Sequence, residues 1–481
     1  MKQPLMNFLG LTYMVRLCLF IGLGTSLPGF VLLGQTDSSK NVVQTLKLSG
    51  SVLVSGGEFL PYWWVNQSSG RLQRTSSSQI HNQLWYYGEY KLPLNLLFFW
   101  DTEVSTSLAQ DIRPSIIQSN IGFRSSFIEL KAGLDEEFFG EYQHRLSLGN
   151  LINNTNARPI PKISIATNGW QPSPLFPRNI YYKAYLAHGW FEKDRVQSGA
   201  FLHHKSFHLQ SRLAKNRLKL GVGLIHNAQW GGKNLTTEYS QPTGFKNYTR
   251  IFFGRNGGED ALQTDRQNAL GNHLGTYEIN GSYQFKTFTL RNYWQFMWED
   301  TSGLTPWNWR DGLVGIEVGF LNTPWLKHIL LEIVRTNDQG AVKFDNDGNM
   351  FFEPDDFLNN GVYSSGWTYA GQVIGSPLFI RQQLSSGGYT GIFNMVNAWN
   401  FGVSGEIQKV EYHVKVTNFS NQGRRLELID PPLKLWSVDL ALVRKLNEKS
   451  ELGVKINFQE GNIGGGKNLA VGLSYSYLLL H

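Results

Sequence analysis

Val410-Glu411-Tyr412-His413-Val414-Lys415-Val416 decides the fold. Val410, Tyr412, Val414 and Val416 alternate with Glu411, His413 and Lys415, so an extended chain has one apolar and one charged face. The pattern recurs downstream. Trp436, Val438, Leu440 and Leu442 form a second set; after a turn at Asn447-Glu448-Lys449-Ser450, Val454, Ile456 and Phe458 alternate with Lys455 and Asn457. A glycine-rich turn from Gly461 to Gly466 leads into Leu469, Val471, Leu473, Tyr475 and Tyr477. Upstream, Leu218, Leu220, Val222 and Leu224 alternate with Lys219, Gly221 and Gly223. The second face is polar or glycine throughout, as a water-filled barrel lumen requires.

A soluble β-sandwich alternates as well, so other features have to decide. Charged residues are 17% of the 481, against about 25% in ordinary globular domains, while aromatic residues are 14% and glycines number 50. Mean hydropathy is −0.27, and beyond residue 40 no run approaches the ~18 apolar residues of a membrane helix. That excludes a polytopic helical membrane protein. A transmembrane barrel meets both constraints, because only alternate residues face lipid. Aromatic clusters at Tyr62-Trp63-Trp64, Trp85-Tyr86-Tyr87, Phe98-Phe99-Trp100 and Tyr293-Trp294 suit interfacial girdles, and an alternating last strand suits ring closure. At ~10 residues per strand with turns and generous loops, residues 35–481 predict one all-β domain, a transmembrane antiparallel barrel of roughly 16–18 strands.

Leu17 to Leu33 is apolar, preceded by Lys2 and Arg16 and followed by a polar run from Gln35, which predicts a secretory signal over residues 1–34. Cys18, the single cysteine, falls within it, so thiol chemistry is excluded from the exported chain. Three segments do not read as strands. Asn150 to Arg178 carries Pro159, Pro161, Pro172, Pro174 and Pro177, which exclude a central strand; Thr236 to Asn272 is polar and glycine-rich; Asp345 to Asn360 is acidic. These are expected to be loops or plugs in the lumen. The net charge of +7 is spread out, with no nucleic-acid motif, and suits acidic glycans or anionic lipid headgroups.

Several short stretches, in order, resemble the Wzi-type capsule-assembly family in its Bacteroidetes-like form. They include Pro61-Tyr62-Trp63, Asn156-Ala157-Arg158-Pro159-Ile160-Pro161, His188-Gly189-Trp190, Leu202-His203-His204-Lys205, Trp230-Gly231-Gly232, Gly271-Asn272-His273-Leu274-Gly275, Trp298-Glu299-Asp300-Thr301-Ser302-Gly303-Leu304 and Gly366-Trp367-Thr368-Tyr369-Ala370-Gly371. The resemblance spans roughly residues 60 to 380; the last hundred residues match only in strand pattern. It implies a barrel of the cell outer membrane that binds capsular or exopolysaccharide in a lectin-like way and helps retain or organise it. It implies no catalytic residues and no cofactor. The partners are then surface polysaccharide and outer-membrane lipid, with the polysaccharide export machinery as a further one. A porin or oligosaccharide channel, and an outer-membrane hydrolase, stand as rival readings.

For glycan contact, Trp307-Asn308-Trp309-Arg310-Asp311 sets aromatic rings beside amide, guanidinium and carboxylate groups, which suits sugar rings with apolar C–H faces bordered by hydroxyls. An interfacial girdle followed by a turn explains the same residues. Arg158, Lys162, Trp170 and Arg178 form a second patch, or else a lumen plug with its cations paired to barrel carboxylates. His203, His204, His208 and His226 invite a metal reading, but His204 and His208 lie ~13 Å apart along a strand, too far for one zinc ion; a pair meeting through neighbouring strands stays open, and hydrogen bonding in the lumen is the expected use. Asp345-Asn346-Asp347-Gly348-Asn349 resembles a calcium loop with its glycine misplaced, so an ordinary turn is expected there and no metal site.

Overall fold

In a computed structural model the described residues are 41–480, apart from 141–144, 176–178, 300–308, 340–342, 345–349, 353–354, 384–388 and 426. The leader, Trp307, Asn308, Arg178 and the Asp345–Asn349 turn lie outside them. Eighteen long strands form one closed antiparallel barrel. In chain order they are β1 Val42–Ser55, β2 Ser78–Leu92, β3 Leu96–Leu108, β4 Ile112–Arg124, β5 Ile128–Leu134 and β6 Lys162–Thr167. Next come β7 Ile180–Trp190, β8 Phe201–Leu213, β9 Leu218–Trp230, β10 Asn272–Gln284, β11 Phe288–Glu299 and β12 Gly312–Phe320. The last six are β13 His328–Arg335, β14 Val396–Ile407, β15 Val410–Arg424, β16 Glu427–Lys445, β17 Ser450–Gly461 and β18 Asn468–Leu480. Each pairs with its neighbour, and β1 closes the ring on β18 from Leu46↔Leu480 to Ser55↔Ala470, with one bulge. Closure leaves no strand edge unpaired.

The alternation sets the two faces. Along β18, Leu469, Val471, Leu473, Tyr475, Tyr477 and Leu479 are exposed on the outside, while Asn468, Ala470 and Gly472 between them are buried. In β15 the buried set is Lys415, Thr417, Phe419 and Asn421, so the charged face of the opening heptapeptide does point inward. One rim is made mostly of tight turns, with the connection 168–179 as the main exception. Gln408 and Lys409, with φ of 50° and 66°, join β14 to β15 as a two-residue hairpin whose left-handed pair matches strand twist. The other rim carries the long connections: residues 56–77, 135–161, 191–200, 231–271 and 336–395.

Two expectations need correction. The lumen is not a water-filled channel. Residues 146–160 and 357–379 pack inside it as one apolar cluster that includes Leu151, Trp367 and Phe379, and inward polar groups such as Glu332, Asn400 and Gln459 are fully buried. The proline-rich stretch also supplies a wall strand, β6, because Pro161 immediately precedes it and Pro172 follows it, leaving six alternating residues free to pair with β5 and β7.

Candidate functional site

The plug is stitched to the wall by side chains from distant strands. Arg71, in the β1–β2 connection, forks onto Glu103 of β3 at 2.6 and 2.8 Å and onto Glu136, just beyond β5, at 2.9 Å twice. Burial alone would lower the guanidinium pKa, but the two carboxylates overturn that and raise it. Burial raises Glu136 in turn, and its bonds to Arg71 outweigh this and hold it below the ordinary carboxylate range. Glu332 of β13 accepts from Ser147 Oγ at 2.5 Å, Leu148 N at 2.8 Å, Tyr293 OH at 2.6 Å and Asn400 Nδ2 at 2.9 Å. The two plug segments bind each other through Trp367 Nε1 to Ile152 O at 2.9 Å and Asn154 N to Ile374 O at 2.9 Å. Such a carboxylate-pinned interior costs several kcal/mol to break, since each broken pair strands a buried charge.

A short helix, α1 Tyr62–Asn66, enters the lumen from the long-loop rim. Tyr62 N donates to Gln459 Oε1 at 2.9 Å, Tyr62 OH to Pro377 O at 2.5 Å, and Trp64 Nε1 to Asp439 Oδ1 at 2.7 Å. Trp63 is 2% exposed, edge-on to Phe419. The girdle expected at Tyr62-Trp63-Trp64 is therefore corrected: these rings are interior. Trp85, bonded to Asp101, Phe99 at 3% exposed and Tyr293, bonded to Glu332, are interior as well, while Tyr86, Phe98 and Trp100 cluster with Phe123 near the short-turn rim as a girdle.

Beneath α1 and the plug lies a cavity of about 520 Å³, within the range of small-ligand pockets. Trp63, Trp64 and Gln67 line it from the helix, with Asn150 and Asn153 from the plug. His413, Lys415, Asp439 and Lys455 come from the inward faces of β15, β16 and β17, toward their short-turn ends. Lys415 Nζ donates to Gln67 Oε1 at 2.8 Å and lies 5.1 Å from the Trp63 ring centre. Among the described residues, neither Lys415 nor Lys455 has a carboxylate within ion-pair distance, while Asp439 is engaged by Trp64. Arg145, at the cavity mouth, reaches His413 at 3.2 Å and Glu411 at 3.9 Å. The lining carries three acids, Glu136, Glu137 and Asp439, against Arg145, Lys415 and Lys455, but the acids are engaged by Arg71, Lys162 and Trp64, so the arrangement offers indole surface, amides and two lysines outside ion-pair reach.

Of the residues singled out from sequence, Arg158 and Lys162 line a smaller adjoining cavity of about 60 Å³ that shares Glu136, Glu137 and Phe139 with the first. Lys162 pairs with Glu137, and Arg158 donates to Ser115 Oγ at 2.8 Å. Trp170 sits apart from both, in the connection between β6 and β7 on the short-turn rim. Trp309 is 57% exposed on the long-loop rim with the Arg310 guanidinium 5.5 Å from its ring centre. Asp311, the next residue but one, is 0% exposed and accepts from the backbone N–H groups of Asn337, Asp338 and Gln339 at 3.0, 3.1 and 2.6 Å. Burial pushes its carboxyl up to about 6, against the pull of those donors. It clasps a loop. The cavity residues Lys415, Asp439 and Lys455 are absent from the sequence-based candidates, yet each is a charge at an inward position of an alternating strand, which is a readable signal.

Known proteins bear on the architecture. The chain is similar to Wzi of Escherichia coli, an outer-membrane carbohydrate-binding β-barrel involved in group 1 capsule assembly, at 13% identity and a TM-score of 0.56, covering 89% of this chain and 83% of that one. It is also similar to OccK5 (OpdH) of Pseudomonas aeruginosa, at 10% identity and a TM-score of 0.48, covering 92% and 98% of the two chains. No curated protein matches it. The model of the capsule assembly protein Wzi family matches residues 57–405, well over half the length, and the chain belongs to that family of the outer membrane.

Proposed function

We propose that the barrel holds acidic surface polysaccharide at the cell outer membrane without transporting or cleaving it. The observation that carries this reading is the cavity beneath the plug. Trp64 offers an apolar face for sugar C–H groups, Asn153 offers an amide for hydroxyls, and Lys415 and Lys455 stand ready for a carboxylate. Outer-membrane barrels keep short turns in the periplasm and long loops outside. The cavity then faces the periplasm, where a polymer delivered by the export machinery would meet it, and Trp309 with Arg310 faces outward. Carbohydrate binding by the Escherichia coli relative supports the same reading.

Retention is multivalent in this scheme: weak contacts along a repeating polymer add up because each binding event raises the local concentration for the next. A filled lumen argues against the porin reading, and steady conductance in a planar bilayer would revive it. The direct test uses the native capsule. The purified barrel is expected to pull down its own strain's polysaccharide, and a clean deletion to leave polymer synthesised but shed into the medium. Unchanged retention after deletion overturns the role.

A further inference from the structure

The outer wall of β7 to β11 departs from the lipid-facing pattern. On β8, Phe207 is exposed outward, so Lys205, His203 and Phe201 share its face. On β9, exposed Leu220 and Val222 place His226, Ala228 and Trp230 outside, and on β10 exposed Ile279 places Gly275 and His273 there. No register shift interrupts these pairings. Yet His203 is 0%, His226 4% and His273 2% exposed. Polar side chains at outward positions of a barrel wall have been covered.

The cover is the connection 231–271, and its main piece is α2 Phe245–Phe253. Tyr248 and Phe252 stand 5.5 and 5.4 Å from the His203 ring, and Ile251 packs with Ala228 and Trp230. Lys205 Nζ donates to the Phe252 carbonyl and lies 4.1 Å from its ring centre. His226 bonds His273 ring to ring at 2.8 Å, with Trp298 stacked alongside. Gly275 permits this, since a Cβ there would lie 2.0 Å from the Trp298 indole. Gly254, at φ 61°, ends the helix and turns the chain away.

The opposite face of α2 is uncovered and apolar at both ends. Phe245 is 82% and Phe253 65% exposed, two turns apart with Thr249 between them. From Tyr239 to Gly258 the chain holds Lys246, Arg250 and Arg255 and no Asp or Glu, and the Arg255 guanidinium lies 5.4 Å from the Phe253 ring centre. The helix also begins where the exposed band of Phe207, Val222 and Ile279 ends, toward the long-loop rim. Aromatic rings and cations together at the end of a lipid-facing band mark a bilayer interface.

We infer that α2 lies in the plane of the outer leaflet as an anchor and a shield. Phe245 and Phe253 enter the boundary between headgroups and acyl chains, and Lys246 and Arg255 meet the phosphates of anionic lipid. The helix meanwhile screens Lys205 and the histidines from hydrocarbon, where unpaired polar groups are costly.

Nitroxide labels test this in the full-length protein with Cys18→Ser, reconstituted in vesicles free of polysaccharide. Labels at Phe245→Cys and Phe253→Cys are read against Val222→Cys on the lipid band and Glu238→Cys in the same connection. The expected result is loss of collisions with a water-soluble nickel chelate at 245 and 253, matching position 222. Collisions at the level of position 238 overturn the anchor, and Thr249→Cys reports the same face should either variant misfold. Replacing phosphatidylcholine in part by phosphatidylglycerol is expected to lower chelate access at 253 further, and Lys246→Gln with Arg255→Gln to abolish that change. No difference between the two lipids overturns the phosphate contact.

Discussion

The inward face of the barrel has two fates on the two sides of one lumen. On β11 to β14, Gln295, Glu332 and Asn400 are sealed under plug residues that hydrogen-bond them. On β15 to β17, His413, Lys415, Asp439 and Lys455 border an open cavity. Both faces follow the same period-2 rule. What differs is how completely distant segments cover the polar groups: on the open side Gln67, Trp64 and Arg145 each reach one of them and leave a cavity, whereas the sealed groups are fully buried and persist because partners arrive. Changes on the sealed side should cost stability, and changes on the open side should cost binding.

The largest effect is expected at Arg71. Arg71→Leu leaves Glu103 and Glu136 without their counter-charge, a loss of about 3–5 kcal/mol read from the urea midpoint. The same variant should admit current in a planar bilayer, because the clasp joins the first connection to the plug. A variant as stable and as non-conducting as the wild type would show that the seal lies elsewhere, and would dissolve the contrast between the two sides.

The barrel and its inward charges are legible from alternation, since Val410 to Val416 carries its own evidence in seven residues. The plug is legible only as an absence of strand signal. Tyr62-Trp63-Trp64 misleads because three adjacent aromatics suit an interface and an interior equally; what fixes them inside are Pro377, Asp439 and Gln459, more than 300 residues away. Lys162–Thr167 escapes the sequence reading because the prolines at its flanks mask the whole segment, whereas they bar only the positions they occupy. The stretch from Thr236 to Asn272 reads as polar and glycine-rich, and α2 within it is too short to stand out by periodicity. Asp311 sits beside Trp309 in sequence, and only the fold brings Asn337 to Gln339 onto its carboxylate.

Asp311 gives the next effect, one that depends on pH. Its folded value of about 6 exceeds the ordinary 3.8, so the folded state holds the proton more tightly. That contribution is complete below the unfolded value and is lost as pH rises through about 6, a decline on the order of 3 kcal/mol. Glu136 runs the other way: its depressed pKa contributes above the ordinary carboxylate value and fails as pH falls through its folded one. Urea midpoints of the wild type and Asp311→Asn between pH 4 and 7 separate them. The difference between the two proteins should change across this window; a constant difference would mean that Asp311 does not titrate there.

On the open side, Lys455→Met should leave the urea midpoint unchanged and weaken binding of an acidic oligosaccharide by about tenfold, as removal of one charge-assisted hydrogen bond of ~1.4 kcal/mol implies. Raising the salt concentration should erode wild-type binding more than that of the variant. Equal affinity in the two proteins, measured by calorimetry, would take the cavity out of polysaccharide binding while leaving the sealed side as it is.

The smallest effect on short-oligosaccharide binding is expected at Trp309, and it sharpens the comparison most within a few residues of chain. Trp309 is exposed and Asp311 is not, although the two read as one patch in sequence. Trp309→Ala removes a ring that is 57% exposed, so the urea midpoint should move by no more than about 0.5 kcal/mol. Its effect on a short oligosaccharide should be slight as well, because the ring lies on the long-loop rim, away from the cavity under the plug. On whole capsule the effect should be larger, since removing one attachment point along a repeating polymer lowers the effective concentration at the others. A fall in capsule retention without a fall in oligosaccharide affinity would therefore place Trp309 among the outward contacts. A fall in stability instead would return it to the girdle-and-turn role that its neighbours in sequence also fit.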